Sequence, residues 1–137
     1  MTSTSLDPRS EAGRQEANKQ TVRDFYEVGL NQRDFPAAAK LIGPRYVQHN
    51  PLIADGIEGF EAFLGHLAEE FPGLRAEVKS VFAEGDFVIG HVHGIRVPGQ
   101  RGTAIVDIFR LEDGKIVEHW DVMQPIPENA VNQNGMF

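Results

Sequence analysis

The spacing of apolar residues changes from helical to extended at Pro72-Gly73, and this change strongly constrains the fold. Before it, the stretch 57–71 repeats apolar residues every three to four positions, as an amphipathic helix does. After it, four stretches alternate apolar and polar residues, and turn-forming sequences separate them: 74–82, 86–97, 103–111 and 115–123. Helices followed by hairpin-linked strands predict an α+β fold, with the helices on one face of a curved antiparallel sheet.

Two further helices are predicted ahead of 57–71. The first covers about 11–30, where apolar residues form one stripe. The second is "PAAAKLI", which Gly43-Pro44 would end. The motif "RYVQHNP" that follows predicts a short extended segment. The small, polar and charged residues 1–12 are interpreted as a mobile tail, and residues 13–137 as a single domain.

The composition argues against several classes of partner and site. The 137 residues include 20 acidic and 13 basic ones, a net charge of −7, and no Lys/Arg-rich run. Phosphate backbones would be repelled, so a nucleic-acid partner is not expected. No apolar run approaches the roughly 18 residues of a membrane helix, so no membrane partner is expected. The N-terminus lacks the apolar core of a secretory signal, which predicts a cytoplasmic protein. The absence of cysteine rules out disulfides and thiolate zinc sites.

The stretch 118–121, "EHWD", places two carboxylates, an imidazole and the only tryptophan within one predicted strand. Two registers are open for the hairpin at "EDG". A two-residue turn at Asp113-Gly114 would pair Asp107 with Trp120, whereas a three-residue loop, 112–114, would pair Asp107 with His119. The three-residue loop is favoured because it gathers the ionisable groups on one face. That face would carry Ile105, Asp107, Phe109, Val117, His119, Asp121 and Met123, and the other Val106, Ile108, Ile116, Glu118, Trp120 and Val122.

Ionisable groups on an otherwise apolar face are typical of a buried catalytic pocket. A solvent-facing strand surface would explain the same polar residues without any function. Because both faces of this hairpin are rich in large apolar residues, neither reads as a solvent face, and the pocket is the favoured interpretation. The carboxylate of Asp121 would then be partly desolvated among Ile105, Phe109 and Met123.

Histidines elsewhere could line the same cavity. By alternation, His91 and His93 share one face of their strand, and His49 and Asn50 stand just before a proline. A lone histidine is more often structural, but several on neighbouring elements suggest a pocket lining. The spacing from Gly85 to His91-x-His93 resembles the start of a cupin metal motif. The glutamate that should follow is missing from "GIRVPGQ", so no metal site is predicted.

Several of these motifs together resemble a known family. "YVQHNP", "DGIEGFEAFL", "AEGDFVIGHVH", "VDIFRLEDGKIVEHWDVMQ" and "NQNGMF" occur in the order found in the SnoaL-like polyketide cyclase group. That group belongs to the nuclear-transport-factor-like superfamily, together with ketosteroid isomerases and limonene epoxide hydrolases. The resemblance covers about residues 15–137. It implies a cone-shaped α+β fold with one deep pocket, a homodimer, and chemistry that needs no metal or cofactor.

The resemblance also implies roles for individual residues. Asp121 matches the general base of the cyclases, and Asp107 matches an acid that stabilises the oxyanion in the isomerases. Asn50 stands where the isomerases have their base, so their proton transfer is not expected here. His119 or His49 would be a further proton donor. The residues expected to contact substrate are Asn50, His91, His93, Phe109, Ile105 and Met123.

These observations predict a cofactor-independent enzyme that removes a proton beside the carbonyl group of a small, largely apolar compound. Attack of the enolate on a second carbonyl would be an aldol cyclisation, and reprotonation elsewhere would be an isomerisation. The alternative is a module of the same fold that only binds a small ligand or a protein. The apolar strip of Val106, Ile108, Trp120 and Val122 predicts a two-fold homodimer.

Overall fold

Helices occupy most of the first half of the chain and strands the second, as the change of period predicts. The computed structural model describes residues 6–137. Its elements are α1 (Glu11–Phe25), a π-helical turn (Tyr26–Asn31), α2 (Phe35–Ala39), β1 (Ile42–Gln48), α3 (Gly56–Glu70), β2 (Arg75–Glu84), β3 (Phe87–Ile95), β4 (Thr103–Glu112) and β5 (Lys115–Pro125). The predicted α+β class is confirmed.

Helix α1 begins directly after Ser10. The serine hydroxyl accepts a hydrogen bond from the Gly13 N–H (2.9 Å) and donates one to the Asp7 carbonyl (2.6 Å). Because α1 starts at Glu11, the structured part of the chain begins earlier than the predicted tail of residues 1–12 implies, and residues 1–5 lie outside the described residues. An N-cap serine stabilises a helix by about 0.5–2 kcal/mol, so a truncation that removes Ser10 would cost about that much.

The five strands form one mixed sheet in the order β1-β5-β4-β3-β2. Neighbours among β2 to β5 are antiparallel, but β1 runs parallel to β5, so the predicted all-antiparallel sheet is wrong at this edge. The chain continues from β1 into α3, so no hairpin joins β1 to β5. The predicted helix "PAAAKLI" is also too long, since Ile42 and Gly43-Pro44 belong to β1. A proline is tolerated there because β1 is an edge strand.

The core lies between the helices and one face of the sheet, here called the inner face. Helical Phe25 packs on Phe60 with ring centroids 5.2 Å apart, and on Phe109 of β4 at 5.6 Å. The inner-face strand residues in this core include Val88, Val92, Phe109, Leu111 and Ile116, all at most 1% exposed. This packing decides which side chains of the sheet are turned away from water.

The hairpin between β4 and β5 combines features of both predicted registers. Its turn is the two-residue one, with φ values of 50° at Asp113 and 74° at Gly114, so the favoured three-residue loop is wrong. Val117 is then an extra residue without a partner, because Leu111 pairs with Ile116 and Arg110 with Glu118. This one-residue bulge shifts the register of all later pairs.

Beyond the bulge, Asp107 pairs with Asp121 and Phe109 with His119, so neither predicted pairing of Asp107 occurs. The faces nevertheless match those of the three-residue loop, since the bulge changes the register by one. The exception is Ile116, which was expected on the outer face but is fully buried in the core.

The other side of the sheet, here called the outer face, exposes several large apolar side chains. Phe82 is 60% exposed and Val122 is 68% exposed, and Phe87 and Ile89 are partly exposed beside them. The C-terminal Phe137 covers a corner of this face, with its ring 5.1 Å from His91 and 4.8 Å from His93. Among residues 6–137, no helix has both the length and the apolar character needed to cross a membrane.

Candidate functional site

Three ionisable side chains of the hairpin meet on the inner face: Asp107, His119 and Asp121, here called the acid–imidazole cluster. His119 Nε2 lies 2.8 Å from Asp107 Oδ1 and 3.8 Å from Asp121 Oδ2. Each of these side chains is less than a tenth exposed. The bulge at Val117 makes this grouping possible, because it turns His119 and Asp121 to the face that carries Asp107.

Tyr26 supports the cluster from the helical side. Its hydroxyl donates a hydrogen bond of 2.6 Å to Asp107 Oδ2, and its ring packs edge-on against Phe109. Burial raises the pKa of Tyr26 well above its ordinary value, and the neighbouring Asp107 carboxylate raises it further. The tyrosine therefore keeps its proton and acts as a fixed donor to Asp107.

Gly90 makes room for that hydroxyl, and replacing it by alanine should be destabilising. A Cβ at this position would lie 2.6 Å from the Tyr26 hydroxyl oxygen, whereas Tyr26 is only 1% exposed and has little space to move. We expect Gly90→Ala to lower the free energy of unfolding by about 1–3 kcal/mol, measured by urea denaturation, because overpacking costs this much.

The matched control is Gly65→Ala, because a Cβ there has no neighbour within 4 Å. Adding Tyr26→Phe removes the clashing oxygen, so the double variant should be more stable than the sum of the two single effects predicts. Strict additivity would contradict the proposed clash.

Two polar residues complete the cluster, one at the end of β1 and one just beyond it, and the sequence points to only the second. The Asn50 amide nitrogen donates to both oxygens of Asp121 at 2.9 Å, and its own oxygen accepts from the Leu52 N–H, which fixes the orientation of the amide. Gln48 Oε1 lies 2.8 Å from His119 Nδ1. Gln48 was not predicted as a site residue, and only its alternation with Asn50 along "VQHN" could have indicated it.

His49 does not join the cluster, because its side chain lies on the outer face. Its Nε2 is 2.7 Å from Glu118 Oε2, and its ring stacks on Trp120 with centroids 4.7 Å apart and planes at 4°. The hydrogen bond from His49 lowers the pKa of Glu118, and that from Arg110 lowers it further. His49 is sequence neighbour to Gln48 and Asn50, so alternation places it on the opposite face from both.

His91 and His93 also lie on the outer face. They share it with Phe87 and Ile89, as alternation predicts, and the inner-face residue that pairs with Asp107 is Gly90. Alternation determines which residues share a face and does not determine which face is inner. His93 Nε2 contacts the Arg101 carbonyl at 2.6 Å instead of any residue of the cluster.

The predicted apolar neighbours of the cluster differ in their burial. Phe109 is buried, with its ring centroid 5.0 Å from that of His119. Ile105 is partly buried against the core, and its strand partner Met123 is 49% exposed. The surroundings of the cluster are therefore buried at its Phe109 end and exposed to solvent at its Met123 end, here called the open end.

A cleft of about 330 Å³ lies between the helices and β2, lined by Arg23, Tyr26, Glu27, Asn31, Arg75, Ala76, Glu77 and Val78. Tyr26 connects it to the cluster through Asp107. The predicted pocket is centred on Asp121, and none of the residues that line this cleft belongs to the acid–imidazole cluster.

The cluster also meets the distance requirement of a cation site. Among the described residues, ligand atoms of Asp107, His119 and Asp121 lie within 4.8 Å of one another. The short contact between His119 Nε2 and Asp107 Oδ1 needs a shared proton, however, and that proton occupies the nitrogen lone pair a metal would use. The hydrogen bonds thus favour a proton over a metal ion, and we assign no metal here.

The two carboxylates of the cluster differ chemically. Asp107 accepts from the Tyr26 hydroxyl and shares a proton with His119, so it is firmly held at both oxygens. Asp121 is held by a single amide nitrogen and lies nearer the open end. The arrangement can thus combine an available base with a nearby proton donor.

A family model described as a SnoaL-like domain matches residues 22–119 of this chain. The match includes Asp107 and His119 and ends two residues before Asp121. Among curated proteins, none matches this chain significantly.

Solved structures share the fold. TsrD from Streptomyces laurentii is 25% identical, with 87% of this chain and 91% of that chain covered and a TM-score of 0.68. AclR from Streptomyces galilaeus, described as a proposed hydroxylase, is 25% identical, with 81% of each chain covered and a TM-score of 0.67. A proposed polyketide cyclase from Bacillus cereus is 17% identical, with 87% of this chain and 82% of that chain covered and a TM-score of 0.72. At this identity the likeness shows the fold alone.

Proposed function

This chain belongs to the SnoaL-like domain family, and from that premise we propose that it is an enzyme that removes a proton beside a carbonyl group, with Asp121 as the general base. The observation that carries the proposal is the arrangement of Asp121 beside the hydrogen-bonded His119–Asp107 pair on a nearly covered inner face. The product would be a cyclised or isomerised compound, and no cofactor would take part.

Asp121 is suited to the role of base because a single amide group holds it. The Asn50 amide can only donate to it, since the Asn50 oxygen is used by the Leu52 N–H. Asp121 must therefore accept, and it has lone pairs left for a substrate proton. A positioned base of this kind contributes about 10²–10⁴-fold to the rate of proton transfer.

The His119–Asp107 pair is suited to stabilise the negative charge that develops on the substrate oxygen. The pair shares a proton across 2.8 Å, and Tyr26 fixes the far oxygen of Asp107. A donor fixed in a site with little water stabilises an enolate more than solvent does, because it needs no reorganisation. Donor and base lie 3.8 Å apart at His119 Nε2 and Asp121 Oδ2, so one substrate could contact both.

The charges of the cluster favour a neutral substrate. In the proposed reaction Asp121 acts as the anionic base and the His119–Asp107 pair is neutral overall. Among the described hydrogen bonds, no Lys or Arg contacts any of the three. A substrate that carries a free carboxylate or phosphate would be repelled by the negative charge of Asp121. A neutral carbonyl compound would enter past Ile105 and Met123, the less buried end of the cluster.

Hydrogen–deuterium exchange tests the proposal without knowledge of the final product. The protein is incubated in D₂O with neutral 1,3-dicarbonyl compounds and monoketones, and loss of the α-proton signal is followed by proton NMR. We expect saturable exchange faster than in buffer alone. Compounds that bind but exchange no faster than in buffer would favour the alternative, a module that only binds a ligand.

The proposed enzyme is a homodimer joined through the outer faces of its two sheets. The support is the row of exposed apolar side chains on that face, including Phe82, Ile89 and Val122. Large exposed apolar patches mark interaction surfaces, and two-fold assembly buries the same patch on both copies. A cytoplasmic location remains a prediction from the sequence.

A further inference from the structure

The orientation of the Gln48 side-chain amide is determined by its neighbours. Gln48 Oε1 lies 3.0 Å from the backbone nitrogen of Asn50, and a backbone N–H can only donate. The amide oxygen must therefore be at this position, and the amide nitrogen lies 3.2 Å from the Tyr46 hydroxyl. Exchanging the two atoms would set two donors against each other at Asn50.

This orientation determines the state of one ring nitrogen of His119. The same Gln48 oxygen lies 2.8 Å from His119 Nδ1, and an amide oxygen can only accept. A hydrogen bond at this distance requires a proton on Nδ1. The second nitrogen, Nε2, lies 2.8 Å from Asp107 Oδ1. A hydrogen bond at this second contact also needs a proton, carried either by Nε2 or by Asp107.

The consequence concerns the number of protons in the cluster. Without an acceptor at Nδ1, a neutral imidazole could carry its only proton on Nε2 and donate it to an Asp107 carboxylate. With Nδ1 already protonated, the contact between Nε2 and Asp107 needs an additional proton. We propose that Gln48 is a positioning residue that holds a proton on His119 Nδ1, so that the His119–Asp107 pair keeps a second, transferable proton beside Asp121.

The importance of this proton for turnover rests on the proposed function, whereas its location does not. In the proposed reaction, the shared proton stabilises or protonates the substrate oxygen while Asp121 takes the carbon-bound proton. The Gln48 side chain bonds to Tyr46, the Asn50 N–H and His119, and in the proposal it acts through His119. Its strand pairing opposite His119 on β5 keeps the two side chains on the same face.

NMR of the ¹⁵N-labelled histidine rings tests the location of the proton. In the native protein at neutral pH, we expect Nδ1 of His119, assigned with His119→Gln, to show the resonance of a protonated nitrogen. Gln48→Met keeps the length of the side chain but removes the acceptor, so Nδ1 should lose its proton. Gln48→Glu keeps an acceptor and should retain it. Gln124→Met, at the exposed end of β5, is the control for an unrelated Gln→Met change.

The exchange assay tests the consequence for turnover. We expect Gln48→Met to lower the maximal rate of α-proton exchange about 10–100-fold, the scale of a misplaced catalytic group, with little change in KM. Gln48→Glu should recover part of the rate.

A bare Nδ1 in the native protein, or a protonated Nδ1 in Gln48→Met, would overturn the inference. An altered ring state with unchanged turnover would refute the positioning role. If the native protein exchanges none of the carbonyl compounds, the proposed function fails, while the NMR spectra still decide whether Gln48 holds the proton.

Discussion

Replacing Asp121 by asparagine should lower the rate of α-proton exchange by about 10²–10⁴-fold, the usual contribution of a general base. Asparagine has nearly the same shape, and its side-chain oxygen can still accept from the Asn50 amide that now holds Asp121. It cannot accept a proton in the pH range of the assay. We therefore expect the fold and the assembly of the variant to remain native, as judged by amide NMR spectra and thermal unfolding.

Asp113→Asn is the matched control for this variant. This substitution makes the same chemical change at an exposed turn. The φ of 50° at position 113 suits asparagine as well as aspartate. The control should exchange protons at the native rate. An Asp121→Asn protein that keeps more than a tenth of the native rate would show that another group is the base.

Replacing Trp120 by alanine should have the opposite profile, with a large effect on stability and a small one on chemistry. Trp120 lies on the outer face, stacked on His49 and tilted against Phe87 with ring centroids 6.1 Å apart. Loss of a fully buried Trp costs about 3–5 kcal/mol. Since Trp120 is partly exposed in the single chain, we expect a loss of about 2–3 kcal/mol in urea unfolding and a weaker dimer in sedimentation.

Trp120→Phe is the control, because a phenyl ring can still stack on His49 and cover part of the outer face. It should lose less stability and remain dimeric at concentrations where Trp120→Ala dissociates. The exchange rate per folded molecule should stay close to native in both variants. A native protein that is monomeric at high micromolar concentration would contradict the proposed interface, and the stability effect would then report on the single chain alone.

The class of fold could be predicted because helices and strands differ in the period of their apolar residues. The stretch 57–71 shows the helical period strongly, and it matches α3 (Gly56–Glu70) within one residue at each end. The direction of β1 could not be predicted, because parallel pairing leaves no turn signature. The stretch around Gly43-Pro44 reads as a helix end, although an edge strand accepts a proline equally well.

The candidate site was only partly accessible from the sequence. Ile116 and Val117 are apolar, as residues of an ordinary strand often are. Nothing in the sequence therefore marks the bulge, which reverses the faces that the later side chains of β5 occupy. The choice of turn alone would have given the wrong face. The sequence suggests His91 and His93 as site residues because alternation does not determine which face is inner. Gly90, the inner-face partner of Asp107, has no side chain that could indicate its position.

Val117 makes β5 one residue longer than β4 requires, and this surplus makes the hairpin unequally sensitive to changes in chain length. Deleting Val117 would leave Asp107 opposite Asp121, because continuous pairing from the Asp113-Gly114 turn then gives the same partners without a bulge. Inserting one residue beside Val117 would add a second unpaired residue, which is more than a single bulge accommodates. The side chains of β5 beyond the insertion would then change faces. Trp120 would point toward the helices, and Asp121 would lie at the surface. A shortened hairpin could thus keep its chemistry, whereas a lengthened one would lose it.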